Sequence, residues 1–307
     1  MKENNILIFS SSYDFTVDYI INKFNSNCNF YRMNVDKFFD YKISINNNKT
    51  ILCNNIFEVI LSDINSIFYR KIDFPNLDDV YEKKYHKNII SEIYTVVTGF
   101  VESFQGICLT KPSILRLVDN KVYQLKVARD VNFLLPETLI SNDYEMISNF
   151  TKGKNRIIKP ISSGKIEDKN IKEVVQTNLV NSNYKRQIGD FCPSYYQDFI
   201  DKDFDLRVTI VNNDIFPVKI ISNNKVDWRK SYKDIKYELF DLPIDIREKC
   251  FLFLKRVNMK FGVFDFVVKD NEYYFLEINA NGQWAWLEKE LNIDISSSLF
   301  NYLSEGI

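Results

Sequence analysis

With 307 residues, 45% of them apolar and 15% aromatic, the chain has room for one large or two to three modest domains with real cores, which excludes disorder. Its net charge of −1 leaves no global field to recruit nucleic acid or an anionic membrane. The five cysteines (Cys28, Cys53, Cys108, Cys192, Cys250) are far apart, odd in number and without a C-x-x-C pair, so neither a zinc knuckle nor a disulfide framework is indicated. The N-terminal apolar run is too short for a signal peptide and no segment has the length of a membrane span, so a cytosolic, reduced protein is expected.

Ile6-Leu7-Ile8-Phe9 is a short buried-strand signal ended by Ser10-Ser11-Ser12, and helical periodicity follows from Tyr13 to Phe24. Strands are expected at Phe30–Asn34 and Ser66–Arg70, and a long helix at 86–105, which together describe a small open α/β domain over residues 1–109. The single histidine, His86, lies in a charged stretch and reads as solvated surface, so histidine acid/base chemistry is not expected. Thr110-Lys111-Pro112-Ser113 marks a change of segment into a central block, 110–192. Asp119-Asn120-Lys121 precedes a helix to Asp130, and Arg156–Lys159 is a strand ending at Pro160, before the loop Ile161-Ser162-Ser163-Gly164-Lys165. A third block, 193–307, carries strands at 195–200, 205–211, 215–221, 263–268 and 273–278, with a helix at about 244–260. Neither G-x-x-x-x-G-K-[ST] nor G-x-G-x-x-G occurs, so P-loop and Rossmann readings have no support.

The most informative stretch is Phe264-Asp265-Phe266 followed by Phe275-Leu276-Glu277-Ile278-Asn279-Ala280-Asn281-Gly282. It reads as two apolar strands carrying oxygen ligands where hydrophobes are normal, and buried carboxylates are costly unless paired or bound to a metal. Glu277 and Asn279 share a face by strand alternation, and Asp265 joins them if a three-residue loop, Asp270-Asn271-Glu272, closes the hairpin. An even loop would turn Asp265 away. The three side chains are hard ligands without nitrogen or sulfur donors of the soft type, a set suited to Mg²⁺ with substrate phosphates. The bland alternative is a hairpin with two carboxylates facing water.

Lys121 at a helix start, Lys159 at a strand end and the Ser162-Ser163-Gly164 loop have the chemistry of a phosphate site, although each alone is an ordinary feature. Asp205 and Arg207 are i and i+2 on one strand and share a face. They form either a surface ion pair or a ribose-binding carboxylate beside an anion-holding guanidinium. Asp227-Trp228-Arg229-Lys230 offers an indole beside cations, suited to peptide contact or to capping the core. Arg70 either reaches a cleft or is solvated, and Trp284 and Trp286 read as packing behind the ligand strand.

The order of these pieces resembles the ATP-grasp fold, in which two α+β lobes clamp ATP, here preceded by an N-terminal open α/β pre-ATP-grasp domain. Ile67-Phe68-Tyr69-Arg70, Asp205-Leu206-Arg207-Val208, Val226-Asp227-Trp228-Arg229 and the run from Phe275 to Trp284 resemble more closely the ligases that mature ribosomally made peptides, of the graspetide or microviridin type and the related grasp-with-SPASM maturases. The resemblance implies that Lys121 and Lys159 contact the nucleotide phosphates, with Ser162, Ser163 and Gly164 covering them. It implies that Gln197 and main-chain groups of Asp198, Phe199 and Ile200 hold the adenine, and that Asp205 holds the ribose, with Asp201 and Asp203 as competitors. Asp265, Glu277 and Asn279 would carry Mg²⁺, with Glu277 bridging two ions. One departure is the short loop with its single glycine.

The implied activity is ATP-dependent ligation. A side-chain carboxylate of a precursor peptide is activated as an acyl phosphate and joined to a Ser or Thr hydroxyl or a Lys amine. Arg207 and Lys159 would be catalytic, and Arg70, Trp228 and Arg229 would contact the peptide. By analogy a homodimer is an expectation that no segment demands. Two alternatives stand beside this reading: a ligase for a free amino acid or small peptide, and a nucleotide- or peptide-binding module without catalysis.

Overall fold

The computed structural model describes residues 4–162, 165–168, 171–174, 177–180, 192–230 and 235–306. Strand Asn5–Ser10 lies inside a parallel sheet, with Asn29–Asn34 on one side and Ser66–Tyr69 followed by Ile107–Leu109 on the other. Both faces of this sheet are covered, which is why its strands read as unbroken apolar runs. Leu7, Phe9, Ile67 and Tyr69 pack with Ile93, Val97 and Phe100 of the helix Lys83–Ser103. Ile6, Ile8 and Phe68 pack instead with Ile295, Leu299 and Leu303 of the last helix, Ile295–Glu305. Each of these fully buried leucines contributes about 1.5–3 kcal/mol of burial energy. The C-terminal helix therefore holds the N-terminal domain against the rest of the molecule. A small antiparallel sheet, Lys42–Ile45, Thr50–Cys53 and Glu58–Ile60, was not anticipated, since its Asn-rich sequence blurs the alternation.

The central lobe is an antiparallel sheet in the order Asn178–Val180, Arg156–Lys159, Ser194–Asp198, Thr138–Ser141. The helix Tyr144–Thr151 covers one face through Ile147, against Val180 and Tyr196. The third block expected from 193 thus begins inside the central sheet. Conversely, the helix Lys121–Asp130 packs on the C-terminal sheet, where the Gln124 side chain donates to the Ile278 carbonyl (2.9 Å) and accepts from the Ile278 N–H (3.1 Å). Lobes interleave because each helix goes where its apolar stripe is covered; Val127 and Ala128 find that cover in the large core.

The C-terminal sheet is antiparallel, in the order Lys236–Leu239, Asp214–Ile221, Phe204–Val211, Phe261–Lys269, Glu272–Asn279. Leu206, Val208, Phe264, Phe266, Phe275 and Ile278 face the helix Ile244–Arg256, meeting Ile246, Cys250 and Phe253. The opposite face carries the polar side chains of interest. Among the described residues, no helix is long and apolar enough to cross a membrane.

Candidate active site

The ligand hairpin differs from expectation in its turn yet reaches the expected pairing. Glu272 pairs with Lys269, so the loop has only two residues, Asp270 and Asn271, both at positive φ (49° and 62°). Asp and Asn tolerate that conformation, and such a turn follows the twist of the strands. An even loop would have turned Asp265 away. A β-bulge between Asp265 and Phe266 reverses that outcome, because Leu276 is the extra residue on the partner strand. Phe275 and Ile278 consequently both face the core, and Asp265 stands opposite Glu277. The missing odd residue is in the strand, where sequence alternation alone does not reveal it.

On this face Arg207 pairs in register with Asp265 across neighbouring strands. Its Nη1 donates to Asp265 Oδ1 at 2.7 Å and its Nη2 to the Gln283 carbonyl at 2.9 Å. Asn279 Nδ2 donates to Asp265 Oδ2 at 2.6 Å. Lys121, at the start of its helix, reaches the Pro160 carbonyl at 2.8 Å and Glu277 Oε2 at 3.5 Å. Asn120 caps that helix by accepting from Val122 and Tyr123 N–H. Lys159 projects from the central sheet, 3.2 Å from Gln197 Oε1 and 4.4 Å above the Tyr195 ring. Lys121, Lys159, Ser162, Gln197, Asp205, Arg207, Asp265 and Glu277 all line one cavity of 480 Å³ between the two lobes.

The electrostatics follow from burial and neighbours. Burial pushes the Lys159 ammonium down to about 8, with Lys121 and Arg229 adding repulsion and Glu277 opposing them. Burial drives the Asp265 carboxyl up against the pull of Arg207. Glu277 is held below its ordinary value, because Lys159, Lys121 and Arg229 together outweigh its burial. Asp205 is pushed up to about 6 by burial in spite of Lys202.

Two mostly buried carboxylates and one amide oxygen, without histidine or thiolate, fit Mg²⁺. Among the described residues no group of three or more His, Cys, Asp or Glu side chains gathers. A protein donor set this small suits an ion that takes its remaining ligands from water and phosphate. Asn279 presents its oxygen after a half-turn of its amide, which exchanges donor for acceptor.

Other expected residues fall differently. Asp205 lines the cavity, but its carboxylate is taken by Lys202, whose ammonium stands 2.7 Å from both oxygens. Asp201 and Asp203 do not line it; Asp203 caps the far turn by accepting from Asp270 N–H. Asp198, Phe199 and Ile200 stand outside the cavity wall. The N–H groups of Asp198 and Phe199 are spent on the Glu137 and Asn155 carbonyls, and the Asp198 carboxylate is bound by the buried Arg156. Ser163 and Gly164 lie outside the described residues. Trp284 is fully buried, as its reading as packing required.

Arg70 is not solvated. Its guanidinium is buried, with Nε on Asp14 at 2.7 Å and Nη2 on Gln283 Oε1 at 3.2 Å. It lines a second cavity of 620 Å³, together with Asn279, Gln283, Trp286 and Arg116. Arg207, Trp228 and Arg229 line both cavities, so the two spaces share one wall. Trp228 leans on Trp286 with ring centroids 5.7 Å apart, which joins its two readings: packed on one side, cavity-facing on the other. Arg229 is held by both oxygens of Asp227, at 2.9 and 3.0 Å. Lys202, Gln124 and Asp14 were missed; nothing in the sequence sets them apart, and only their burial marks them.

Comparison with known proteins agrees with this geometry. The profile of the MvdD pre-ATP-grasp domain matches residues 5–115, and that of the RimK-like ATP-grasp domain matches residues 118–303. No curated protein matches the chain in sequence. Among solved structures, a Chryseobacterium gregarium RiPP-associated ATP-grasp ligase, in complex with ADP and a leader and core peptide, is 30% identical with a TM-score of 0.89, covering 99% of this chain and 97% of that one. The macrocyclase MdnC of Microcystis aeruginosa MRC, bound with precursor peptide MdnA, is 25% identical with a TM-score of 0.86, covering 97% and 99%. The macrocyclase MdnB of the same organism, 23% identical with a TM-score of 0.84 and coverage of 99% and 100%, shares the fold.

Proposed function

The chain belongs to the RimK-like ATP-grasp ligases that carry an MvdD pre-ATP-grasp domain, and from this premise we propose that it closes rings in a ribosomally made precursor peptide. The observation that carries the reading is Arg207. It stands in the wall between a cavity with Lys121, Lys159, Asp265 and Glu277 and a second cavity lined by further arginines. A nucleotide fits the first space and an acidic peptide the second, with the arginine where the two reacting groups meet.

In the proposed reaction a side-chain carboxylate oxygen of the peptide attacks the γ-phosphorus of ATP, the bond to the β,γ-bridging oxygen breaks, and ADP leaves. A Ser or Thr hydroxyl, or a Lys amine, then attacks the acyl carbon. The carbon–oxygen bond to phosphate breaks, phosphate departs, and the nucleophile gives up its proton. Lys121 and Lys159 hold the phosphates and offset charge on the moving phosphoryl group. Arg207, kept rigid by Asp265 and the Gln283 carbonyl, orients the carboxylate and then stabilises the mixed anhydride. Asp265, Glu277 and Asn279 would hold Mg²⁺, which would neutralise phosphate charge when bound. No side chain need form a covalent intermediate.

The test is mass spectrometry of precursor peptides encoded beside the gene, incubated with the protein, ATP and Mg²⁺. One water mass lost per ring, dependent on ATP, is the expected result. Glu277→Ala should lower the rate at least about a hundredfold. ATP turnover driven by free amino acids, with every peptide unchanged in mass, would instead establish the small-molecule ligase.

A further inference from the structure

Among the described residues, Arg70 Nη1 and Arg207 Nε are, with Arg32 Nε and Trp284 Nε1, buried side-chain nitrogens without a hydrogen-bond partner. Arg70 and Arg207 both line the second cavity. A buried guanidinium N–H without an acceptor is costly, and the other two nitrogens of each arginine are bonded: those of Arg70 to Asp14 and Gln283, those of Arg207 to Asp265 and Gln283. Gln283 joins the two, taking Arg207 on its main-chain carbonyl and Arg70 on its side-chain oxygen. Thr16 also donates to that side-chain oxygen, at 2.5 Å, so the glutamine is held from the N-terminal domain. Arginine is a donor only, so the Gln283 amide necessarily turns its oxygen to Arg70.

We infer that Arg70 forms a second carboxylate subsite: it holds an acidic side chain of the incoming peptide that does not react, while Arg207 holds the one that does. The inference rests on the peptide-ligase reading above. Arg207 lines both cavities and adjoins the Asp265/Glu277 cluster, so the carboxylate to be phosphorylated belongs with it. Arg70 lines only the second cavity and is fixed by the N-terminal domain through Asp14, so its unpartnered N–H serves a group away from the phosphoryl end. Recognition of a second carboxylate would then set which acidic residue of a multiply acidic core is activated.

The experiment measures KM and kcat for a precursor peptide that the wild-type protein cyclises, and for versions in which each acidic residue outside the ring bonds is replaced in turn by its amide. One such replacement is expected to raise KM about tenfold with kcat nearly kept, the size of one charge-assisted hydrogen bond. In Arg70→Lys, which retains a charge beside Asp14 but not the forked donor, KM for the unaltered peptide rises similarly and the same replacement adds less than about twofold. Asp14→Asn/Arg70→Gln removes both charges together and is measured in the same way if the lysine variant does not fold. The inference is overturned if no amide replacement changes KM, which needs only the wild-type protein. It is also overturned if Arg70→Lys shifts KM for ATP instead, since the unpartnered N–H then serves a phosphate. Absence of any peptide cyclisation by the wild type would sink the functional reading itself, a separate outcome.

Discussion

Gln124 is the residue that couples the helix of Lys121 to the strand of Glu277 and Asn279, and its truncation is the sharpest test of that arrangement. Its amide donates to the Val118 carbonyl at 2.8 Å and the Ile278 carbonyl at 2.9 Å, and accepts from the Ile278 N–H at 3.1 Å. The side chain is only 4% exposed, so water does not replace those bonds in place. Gln124→Ala leaves three buried backbone groups unpaired, each worth about 1–3 kcal/mol. Against this stand a few tenths of a kcal/mol of helix propensity and partial collapse of the gap. A net local cost of about 3 kcal/mol follows, which corresponds to roughly a hundredfold faster opening. Hydrogen exchange followed by mass spectrometry over residues 272–279 reads this directly. Lys121 lies on the same helix one turn earlier and loses its fixed distance to Glu277, so KM for ATP should rise as well. Exchange within about twofold of wild type, with KM for ATP unchanged, would refute the coupling.

Two further expectations concern the same site. Lys159 has a pKa of about 8 in the folded protein, below the ordinary lysine value. Between those values the unfolded chain binds more protons, so the lysine's contribution to stability increases as pH rises through the window. Activity runs the other way: kcat/KM for ATP should fall above about pH 8 as the ammonium is lost, and Lys159→Arg should flatten that limb. A wild-type profile level to about pH 9.5 would contradict the assignment of Lys159 to the phosphates. Gly282 is a case of close approach. A Cβ there would stand 2.5 Å from Val263 Cγ2 and 2.6 Å from Val263 Cβ. Gly282→Ala should therefore cost about 1–3 kcal/mol and shift Gln283, the main-chain anchor of Arg207. Its mark in steady-state kinetics is a kcat that falls more than KM for ATP rises; a drop in melting temperature with kcat intact would separate the glycine from the arginine.

Much of the molecule was legible before any coordinates. Strand Arg156–Lys159 and helix Lys121–Asp130 were readable because their limits are local: Pro160 ends the one and Asn120 caps the other. Oxygen-bearing side chains inside apolar strands singled out Asp265, Glu277 and Asn279, since hydrophobic neighbours make a carboxylate conspicuous. What escaped was long-range. Nothing in the residues near Ser194 says that this strand pairs between Thr138–Ser141 and Arg156–Lys159, closing the central sheet from the far side of a gap in sequence.

The hairpin shows the division most plainly. Sequence alternation determined that Glu277 and Asn279 share a face, because strand period is a property of the backbone. Whether Asp265 joins them was decided by register, through a bulge at Leu276 that lets Phe275 and Ile278 both reach the core. The same holds for Arg70. Its sequence neighbourhood permits either solvent or cleft. Burial of the last helix against the N-terminal sheet brings Gln283 to within hydrogen-bonding reach and fixes the choice. Local chemistry is written in consecutive residues, whereas convergence of distant ones depends on which apolar faces bury each other, and only the folded chain settles that.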